Sequence, residues 1–321
     1  MAKEKVLVTG GAGFIGSHLV NGLLEKGYQV RVLDNFSTGK EENLNTNFSD
    51  IELIKGDIRD EQAVRNSVRG IDFILHQAAL GSVPRSIDDP ITTHECNTTG
   101  TLNLLVAARD AGVKRLVYAS SSSVYGDTPV LPKVETMPTS PRSPYALSKL
   151  SSETYCQLFT SIYGLETVSL RYFNVFGPRQ DEHSQYAAVI PRFASALLTG
   201  QPITVFGDGE QTRDFTYIEN VVTANLLAMT ALKPAAGEVF NIACGGHYSI
   251  LELSKELANI LGTSVKINYY DARSGDVKDS YADISKAARL LNYLPKVSFS
   301  QGLAKTAEWF QAQYAQMLQQ K

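Results

Sequence analysis

Tyr145 and Lys149 stand four residues apart in the stretch SPYALSKLSSE, directly after a proline. Pro144 suits the first turn of a helix and Ser143 its N-cap, so a helix is predicted to begin here. Residues at i and i+4 share one helix face, which places the phenol beside the ammonium. A nearby positive charge favours the phenolate, and the tyrosine can then accept a proton. The same spacing also occurs in ordinary structural helices.

Four consecutive serines, Ser120–Ser123, end the apolar run at 115–121. Open α/β sheets bind their ligands at the carboxyl ends of parallel strands, and a run of serines gains little from packing. Ser121 and Ser122 are therefore candidate catalytic residues, with Ser121 placed to hydrogen-bond the oxygen from which Tyr145 takes a proton.

A glycine-rich turn follows the first apolar run: VTGGAGFIG places Gly10, Gly13 and Gly16 as GxxGxxG. Without side chains, the backbone amides can approach a pyrophosphate, and a helix amino terminus favours its negative charge. Asp34 ends the second run, where a carboxylate can accept hydrogen bonds from the adenosine ribose. Asn35 follows in place of an arginine that would favour a 2′-phosphate, so NAD is predicted over NADP. Such glycines also occur for packing alone.

These residues need a parallel sheet to position them, and the pattern of apolar runs predicts one. Asp57 and Ile58 close the third run and are placed to frame an adenine, although an ordinary strand end explains them equally well. Helical patterns separate the runs, so helices are expected on both faces of the sheet. The six predicted strands are at 5–10, 30–34, 51–57, 72–78, 115–121 and 167–174.

Two crossover helices are predicted. FIGSHLVNGLLEKG has apolar residues at Ile15, Leu19 and Leu23 and ends at Gly27, and TGTLNLLVAARDAG repeats the pattern and ends at Gly112. For the helix of Tyr145, we expect a separate buried stripe made of Leu147, Leu150, Leu158 and Ile162.

The second half of the chain is richer in glycine, proline and polar residues and predicts a smaller lobe at the carboxyl edge of the sheet. The fold class is therefore α/β: a Rossmann-type doubly wound sheet at 1–173 and a smaller α/β substrate lobe at 174–321, interleaved with the first. Helices of this lobe are predicted near 186–198, 219–231, 250–261 and 301–315.

Composition excludes several classes of protein. The 321 residues are 43% hydrophobic, enough for a large core, and 30 basic against 33 acidic residues give a net charge of −3 with no basic run for nucleic acid. Cys96, Cys156 and Cys244 lack zinc-site spacing, so no metal is expected. The amino terminus has no secretory core and no stretch reaches the roughly 20 apolar residues of a membrane span, so a cytoplasmic protein without membrane contact is expected.

Together, the glycine turn, the serine-rich strand end and the Tyr/Lys pair resemble the extended short-chain dehydrogenase/reductase family. The segments YFNVFGPRQDEHSQYAAVIPRF, FGDGEQTRDFTYIENV and ARSGDVKDSYADISKA resemble nucleotide-sugar epimerases of that family. This resemblance implies tightly bound NAD and C4 epimerisation of a UDP-hexose through a 4-keto intermediate. UDP-GlcNAc and UDP-GalNAc are the favoured substrates, with UDP-glucose and UDP-galactose as further ones.

The resemblance also implies roles for individual residues. NAD would contact Gly10, Gly13, Phe14, Ile15, Gly16, Asp34, Asn35, Asp57, Ile58, Gln77, Ala78, Ala79, Asn97, Tyr145, Lys149 and Tyr172. The UDP-sugar would contact Gly81, Ser82, Ser121, Ser122, Tyr145, Asn174, Gln180, Ala188, Val189, Thr204, Phe206, Arg213, Arg273, Asp276 and Ser280. Among these, Arg213 and Arg273 would clamp the diphosphate, and the small Ser280 would leave room for an N-acetyl group at C2.

Other functions stay open at this point. Dehydratases and decarboxylases of the same family carry acidic residues before the VYG segment, where this chain has Ser122 and Ser123. A UDP-glucuronate 4-epimerase is a further alternative, and an inactive NAD-binding regulator would have no need of the Ser/Tyr/Lys set. The resemblance implies a homodimer through helices near 97–111 and 145–163, although an amphipathic stripe facing only the sheet would leave a monomer.

Overall fold

Strands and helices alternate along most of the chain in the computed structural model, which describes residues 3–44, 49–182, 188–271 and 278–319. The strands are β1 Lys5–Thr9, β2 Gln29–Asp34, β3 Ile51–Lys55, β4 Phe73–His76, β5 Arg115–Ser121, β6 Glu166–Tyr172, β7 Val175–Phe176, β8 Ile203–Phe206, β9 Thr212–Arg213, β10 Thr216–Tyr217, β11 Val239–Ile242, β12 Tyr248–Ser249, β13 Ile267–Tyr270 and β14 Asp279–Ser280. The α-helices are α1 Phe14–Glu25, α2 Glu61–Ser67, α3 Val83–Asp88, α4 Pro90–His94, α5 Gly100–Asp110, α6 Pro144–Tyr163, α7 Val189–Leu198, α8 Ile218–Thr230, α9 Ile250–Leu261, α10 Ser285–Leu291 and α11 Phe299–Gln319.

Seven strands form one central sheet in the order β11-β6-β5-β4-β1-β2-β3. Every pairing in it is parallel, which confirms the predicted doubly wound α/β class. The chain first builds outward from β1 to β2 and β3, then returns to place β4 on the other side of β1. This reversal opens a crevice beyond the carboxyl ends of β1 and β4, where ligands of such sheets bind.

Burial on both faces explains why the centre of β1, Val6–Val8, is apolar. Val6 and Val8 point into the core on one side of the sheet, and Leu7 points into the core on the other, all fully buried. Strands covered by helices on both faces have this continuous apolar character. On one face, α1 packs through Leu19 and Leu23, as the apolar spacing predicted.

The second half of the chain crosses back to the sheet. The helix expected near 219–231 is present as α8, and it packs on the sheet beside α1: a Cβ added at Gly22 would lie 2.8 Å from Val222. Arg115 of β5 donates to the α8 carbonyl of Ala228 at 2.9 Å. The seventh strand, β11, was not predicted. The boundary at residue 173 stays a prediction.

Small sheets and further helices complete the second lobe. The other expected helices are present as α7, α9 and α11. Their sheets are β12-β9-β14, β13-β8 and β10-β7. These short strands hold the segments around 174–176, 203–216 and 279–281 above the carboxyl edge of the central sheet.

The helix α6 begins as predicted, but its expected apolar stripe is wrong. Ser143 caps it by accepting from the Ala146 amide at 3.1 Å. Leu147, Leu158 and Ile162 are exposed by 54%, 42% and 64%, and Leu150 is only partly buried. The face against β5 and β6 instead carries Ala146, Ser148, Lys149, Ser152, Glu153, Cys156 and Phe159. These polar groups have partners: Lys149 and Glu153 bond residues near the carboxyl end of β5, and Ser148 and Ser152 bond Asn97.

Candidate functional site

A cleft of about 310 Å³ lies over the carboxyl ends of β1, β2 and β4. It brings together most of the residues predicted to bind NAD, from both sides of the crevice. These lining residues are Gly10, Gly13, Phe14, Ile15, Gly16, Asp34, Asn35, Ile58, Gln77, Ala78, Ala79, Tyr145, Lys149 and Tyr172.

The glycine turn is packed so closely that side chains do not fit. Gly10 has a φ of +67°, and a Cβ added there would lie 2.8 Å from the Ala78 backbone. A Cβ added at Gly16 would lie 2.0 Å from the Gly10 carbonyl oxygen. Gly13 is the N-cap of α1, and because it has no side chain, it does not cap the first amides of the helix. The first amides of α1 therefore face the cleft as an anion site, which fits a dinucleotide pyrophosphate.

Asp34 lies at the far end of this cleft with its carboxylate fixed by two backbone amides. Ala12 donates to Oδ2 at 2.9 Å and Phe36 donates to Oδ1 at 2.8 Å. Each carboxylate oxygen retains a second acceptor position, which suits the hydroxyls of a ribose. Among the described lining residues, Asp34 is the only carboxylate.

Asp57 and Asn97 do not line the cleft, although NAD contacts were predicted for both. Asp57 accepts from Asn35 at 2.8 Å and from Arg59, whose guanidinium lowers the pKa of this carboxyl to about 2. Asn97 is buried and accepts from the Leu80 amide at 2.8 Å. These positions brace Asn35 and the Leu80 loop, and their contacts with NAD stay predictions.

The predicted catalytic residues meet where β5 ends against α6. Burial raises the pKa of the Tyr145 hydroxyl, and the neighbouring Ser121 side chain opposes that rise. Ser123 donates to Ser121 Oγ through its backbone amide at 3.2 Å and its hydroxyl at 2.9 Å. Ser121 is therefore oriented by its own turn. Ser122 follows it in the same 3₁₀ turn and is partly exposed.

Lys149 is almost fully enclosed, with 4% of its surface exposed. Its ammonium donates to the Ala119 carbonyl at 2.8 Å and lies 5.1 Å from the centroid of the Tyr118 ring. Burial lowers the pKa of this ammonium to about 8. The lysine thus stays charged at neutral pH although burial disfavours its charged form. It lies next to Tyr145, whose phenolate this charge would favour.

A second cleft, of about 270 Å³, lies in the smaller lobe. A third, of about 680 Å³, shares Gly13, Phe14 and Gly81 with the first and Gln180 and Ala188 with the second, and also contains Ser82. The three cavities therefore adjoin. The predicted substrate residues that line the second cleft are Asn174, Gln180, Ala188, Val189, Thr204, Phe206 and Arg213.

Ser280 is 8% exposed and lies on β14, in register with Arg213 of β9. It is thus part of a strand rather than a solvated loop. Arg273 and Asp276 fall outside the described residues, and their roles stay predictions.

Several residues at the site were not predicted. Ser37, Thr38 and Gly39 line the first cleft directly after β2. Arg192 lines the second, with its guanidinium carbon 5.9 Å from the Phe206 ring centroid. The position of Ser37–Gly39 after a strand end was a usable signal. No sequence signal marked Arg192 as a site residue, because it is a single arginine within the helix α7.

Comparison with known proteins gives the family. Residues 6–243 match the model of the NAD dependent epimerase/dehydratase family, so the chain belongs to it. NAD, on which that family depends, is therefore the cofactor that the first cleft would hold.

Individual relatives align along nearly the whole chain. The UDP-glucose 4-epimerase of Mycolicibacterium smegmatis is 40% identical over 95% of this chain and 98% of its own length. The UDP-N-acetylglucosamine 4-epimerase of Methanobrevibacter ruminantium, solved with UDP-N-acetylmuramic acid, has a TM-score of 0.92 and 41% identity, covering 98% of this chain and all of that one. The UDP-glucose 4-epimerase of Thermus thermophilus, solved with NAD, has a TM-score of 0.88 and 38% identity, covering 96% and 99%.

Among the described residues, no helix combines the length and apolar character needed to span a membrane.

Proposed function

We propose that this protein epimerises UDP-hexoses at C4, with UDP-GlcNAc and UDP-GalNAc as its main substrates. The observation that carries the proposal is that Tyr145 and Lys149 line the NAD cleft, with Ser121 next to Tyr145, and that a second cleft nearby holds the predicted nucleotide contacts. The similarity to 4-epimerases over nearly the whole chain supports the same reaction.

The site's own residues account for the proton transfers. When bound, NAD supplies the acceptor and later the donor of hydride for the C4 carbon. Tyr145 would take the C4 hydroxyl proton and later return it, while Ser121 holds the same oxygen. Lys149 would favour the phenolate through its charge and also hold the nicotinamide ribose. Ser122 would contact the sugar from the same turn.

The second cleft would hold the UDP portion. Thr204 and Phe206 would flank the uracil, and Arg213 would bind the diphosphate with its forked donors, as would Arg273. The Nη1 atom of Arg213 donates to the Thr212 carbonyl at 2.8 Å and to the Lys278 carbonyl at 3.1 Å, and these bonds fix the direction of its guanidinium. Ser280 lies in register beside Arg213, consistent with a position near the hexose.

The lyase alternatives are less well supported. Elimination or decarboxylation in the family uses an acidic group before the VYG segment, and here Ser123 occupies that turn and donates to Ser121. A UDP-glucuronate 4-epimerase would use the same Tyr145 chemistry and differ only in the substituent bound at C5. Sugar choice therefore has to be measured.

The experiment uses purified protein without added cofactor. Turnover on UDP-GlcNAc, UDP-GalNAc, UDP-glucose, UDP-galactose and UDP-glucuronate is followed by chromatography of the products. We expect the C4 epimer of the N-acetylated sugars to form fastest, and NAD to appear in the supernatant after denaturation. A keto-sugar or pentose product would identify a lyase. Cofactor recovered as NADP would contradict our interpretation of Asp34 and Asn35.

We also propose a homodimer. The helix α4 continues through a π-helical turn at Glu95–Thr99 into α5, and beside this run α6 exposes apolar side chains. Ile91, Leu147 and Ile162 are exposed by 71%, 54% and 64%. Exposed apolar residues on neighbouring helices favour a partner. Light scattering should give twice the chain mass, and the double variant Leu147→Glu, Ile162→Glu should give the monomer mass.

A further inference from the structure

Asp214 is a buried carboxylate beside the second cleft that the proposed chemistry does not use. It follows Arg213 in the chain, is 0% exposed, and does not line the cleft. Its hydrogen-bond partners are backbone amides: Cys244 donates to Oδ1 at 3.0 Å, Gly245 to Oδ2 at 3.2 Å and Ala282 to Oδ2 at 3.3 Å.

These amides come from two segments that are distant in sequence. One is the turn after β11 and the other is the stretch directly after β14. Asp214 itself lies between β9 and β10, so its carboxylate joins three segments of the smaller lobe. An ionised carboxylate suits this arrangement because its two oxygens accept about four hydrogen bonds and donate none.

Three proposed substrate contacts lie next to Asp214 or next to a residue that it binds. Arg213 precedes Asp214 in the chain. The Asp214 carbonyl accepts from the Asn174 side chain at 3.2 Å, and Asn174 has the unusual φ of +35°. Ala282, whose amide the carboxylate holds, is two residues after Ser280. Asp214 is therefore linked to the residues assigned to the diphosphate and the hexose.

The position is energetically costly. Burial raises the pKa of the Asp214 carboxyl to about 6 in spite of the amides that hold it. An apolar side chain would avoid this penalty but could not bind the amides of the two other segments. We propose that Asp214 is a positioning residue that sets the affinity for UDP and the sugar selectivity by fixing Arg213, Asn174 and Ser280 relative to one another. This inference rests on the proposed function for the identity of the ligand.

The test is Asp214→Asn in the NAD-loaded protein, with UDP binding measured by calorimetry and NAD content measured after denaturation. The amide of asparagine points two N–H groups at backbone N–H donors, so the segments must separate. We expect the Kd of UDP to rise about 10-fold or more, because Arg213 would be displaced from its charge-assisted contact with the diphosphate. The NAD content should stay stoichiometric. At saturating sugar, kcat should stay within about 3-fold, and the ratio of kcat/KM between UDP-GlcNAc and UDP-glucose should change.

Asp279→Asn is the matched control. This carboxylate lies on β14 beside Ser280 and accepts from the Thr212 hydroxyl at 2.7 Å, a bond that an asparagine oxygen can replace. The control should bind UDP like the wild type. Asp214→Ser, which leaves room for a water in place of the carboxylate, should repeat the loss of UDP affinity without the clash of N–H groups.

The outcomes separate the two proposals. Unchanged UDP affinity in both Asp214 variants, or an equal loss in Asp279→Asn, would overturn the role of Asp214. Loss of NAD together with UDP in both variants would show that the residue maintains the whole fold, which also overturns it. A wild type that binds UDP without epimerising any sugar would contradict the proposed function, while the UDP measurements would still test Asp214.

Discussion

The ammonium nitrogen of Lys149 lies 6.0 Å from the centroid of the Tyr145 ring. The lysine is therefore close enough to act on the phenol through its charge, while its donated hydrogen bond goes to the Ala119 carbonyl. In the proposed mechanism, the tyrosine hydroxyl is left to act on the substrate beside Ser121. In the proposed mechanism, proton transfer and charge stabilisation are thus divided between two residues one helical turn apart.

Tyr145→Phe removes the proton acceptor and keeps the ring. Loss of general acid–base catalysis should lower kcat by roughly 10²-fold or more, with NAD still bound. Steady-state rates on UDP-GlcNAc and the NAD content of the same preparation check this. Tyr163→Phe, at the exposed end of the same helix, should keep wild-type turnover. Near-normal turnover in Tyr145→Phe would remove the residue from the mechanism.

Burial of the Lys149 charge also predicts how stability depends on pH. Its pKa falls from an ordinary 10.5 to about 8, so between these values the folded protein binds fewer protons than the unfolded chain. Its unfavourable contribution is therefore fully present below pH 8 and declines as the pH rises to 10.5. Lys149→Met should abolish turnover yet raise the free energy of unfolding at pH 7 by about 1–3 kcal/mol.

Urea unfolding of NAD-free protein at pH 7 and pH 10 measures this effect. The gain in Lys149→Met over wild type should be larger at pH 7 than at pH 10. Lys305→Met is the control, because Lys305 is half exposed in a surface ion pair with Glu219 and should change stability little at either pH. A Lys149→Met protein that is less stable than wild type at pH 7 would contradict the prediction.

Much of the sheet and of the NAD cleft could be predicted from the sequence because those signals are local. The strand β1 and the turn from Gly10 to Gly16 are each encoded within a few residues. The strand β11 has only four residues and pairs with β6 about 70 positions earlier, so no local pattern revealed it. The apolar stripe of α6 was assigned to the wrong face because Lys149 and Glu153 are buried, and periodicity treats charged residues as exposed.

Gly16→Ala tests the packing of the glycine turn. The added Cβ would lie 2.0 Å from the Gly10 carbonyl oxygen, a backbone atom that cannot move without opening the turn. We expect the protein to purify without NAD and without activity. Gly22→Ala, on the same helix, is the comparison: its Cβ meets the Val222 side chain at 2.8 Å, so it should keep NAD and lose about 1–3 kcal/mol of stability. Equal NAD content in the two variants would argue against the pyrophosphate site.

Sugar choice is tested at Ser280, which is small, buried and in register with Arg213. By resemblance to the epimerases, this position faces the hexose, and a tyrosine there goes with substrates that lack an N-acetyl group. Ser280→Tyr should therefore suppress UDP-GlcNAc and UDP-GalNAc while sparing UDP-glucose and UDP-galactose. Forcing an acetamide against the new ring should cost about 1–3 kcal/mol, which is roughly 5- to 150-fold in selectivity.

The measurement is kcat/KM for both sugar pairs in both proteins, with Ser280→Ala as the control that keeps the space open. Ser280→Ala should retain the preference for N-acetylated sugars, because the prediction depends on volume and not on the hydroxyl. The NAD content should be equal in all three proteins, since Ser280 lies outside the first cleft. An unchanged selectivity ratio in Ser280→Tyr, or a wild type that ignores UDP-GlcNAc, would show that another residue selects the sugar.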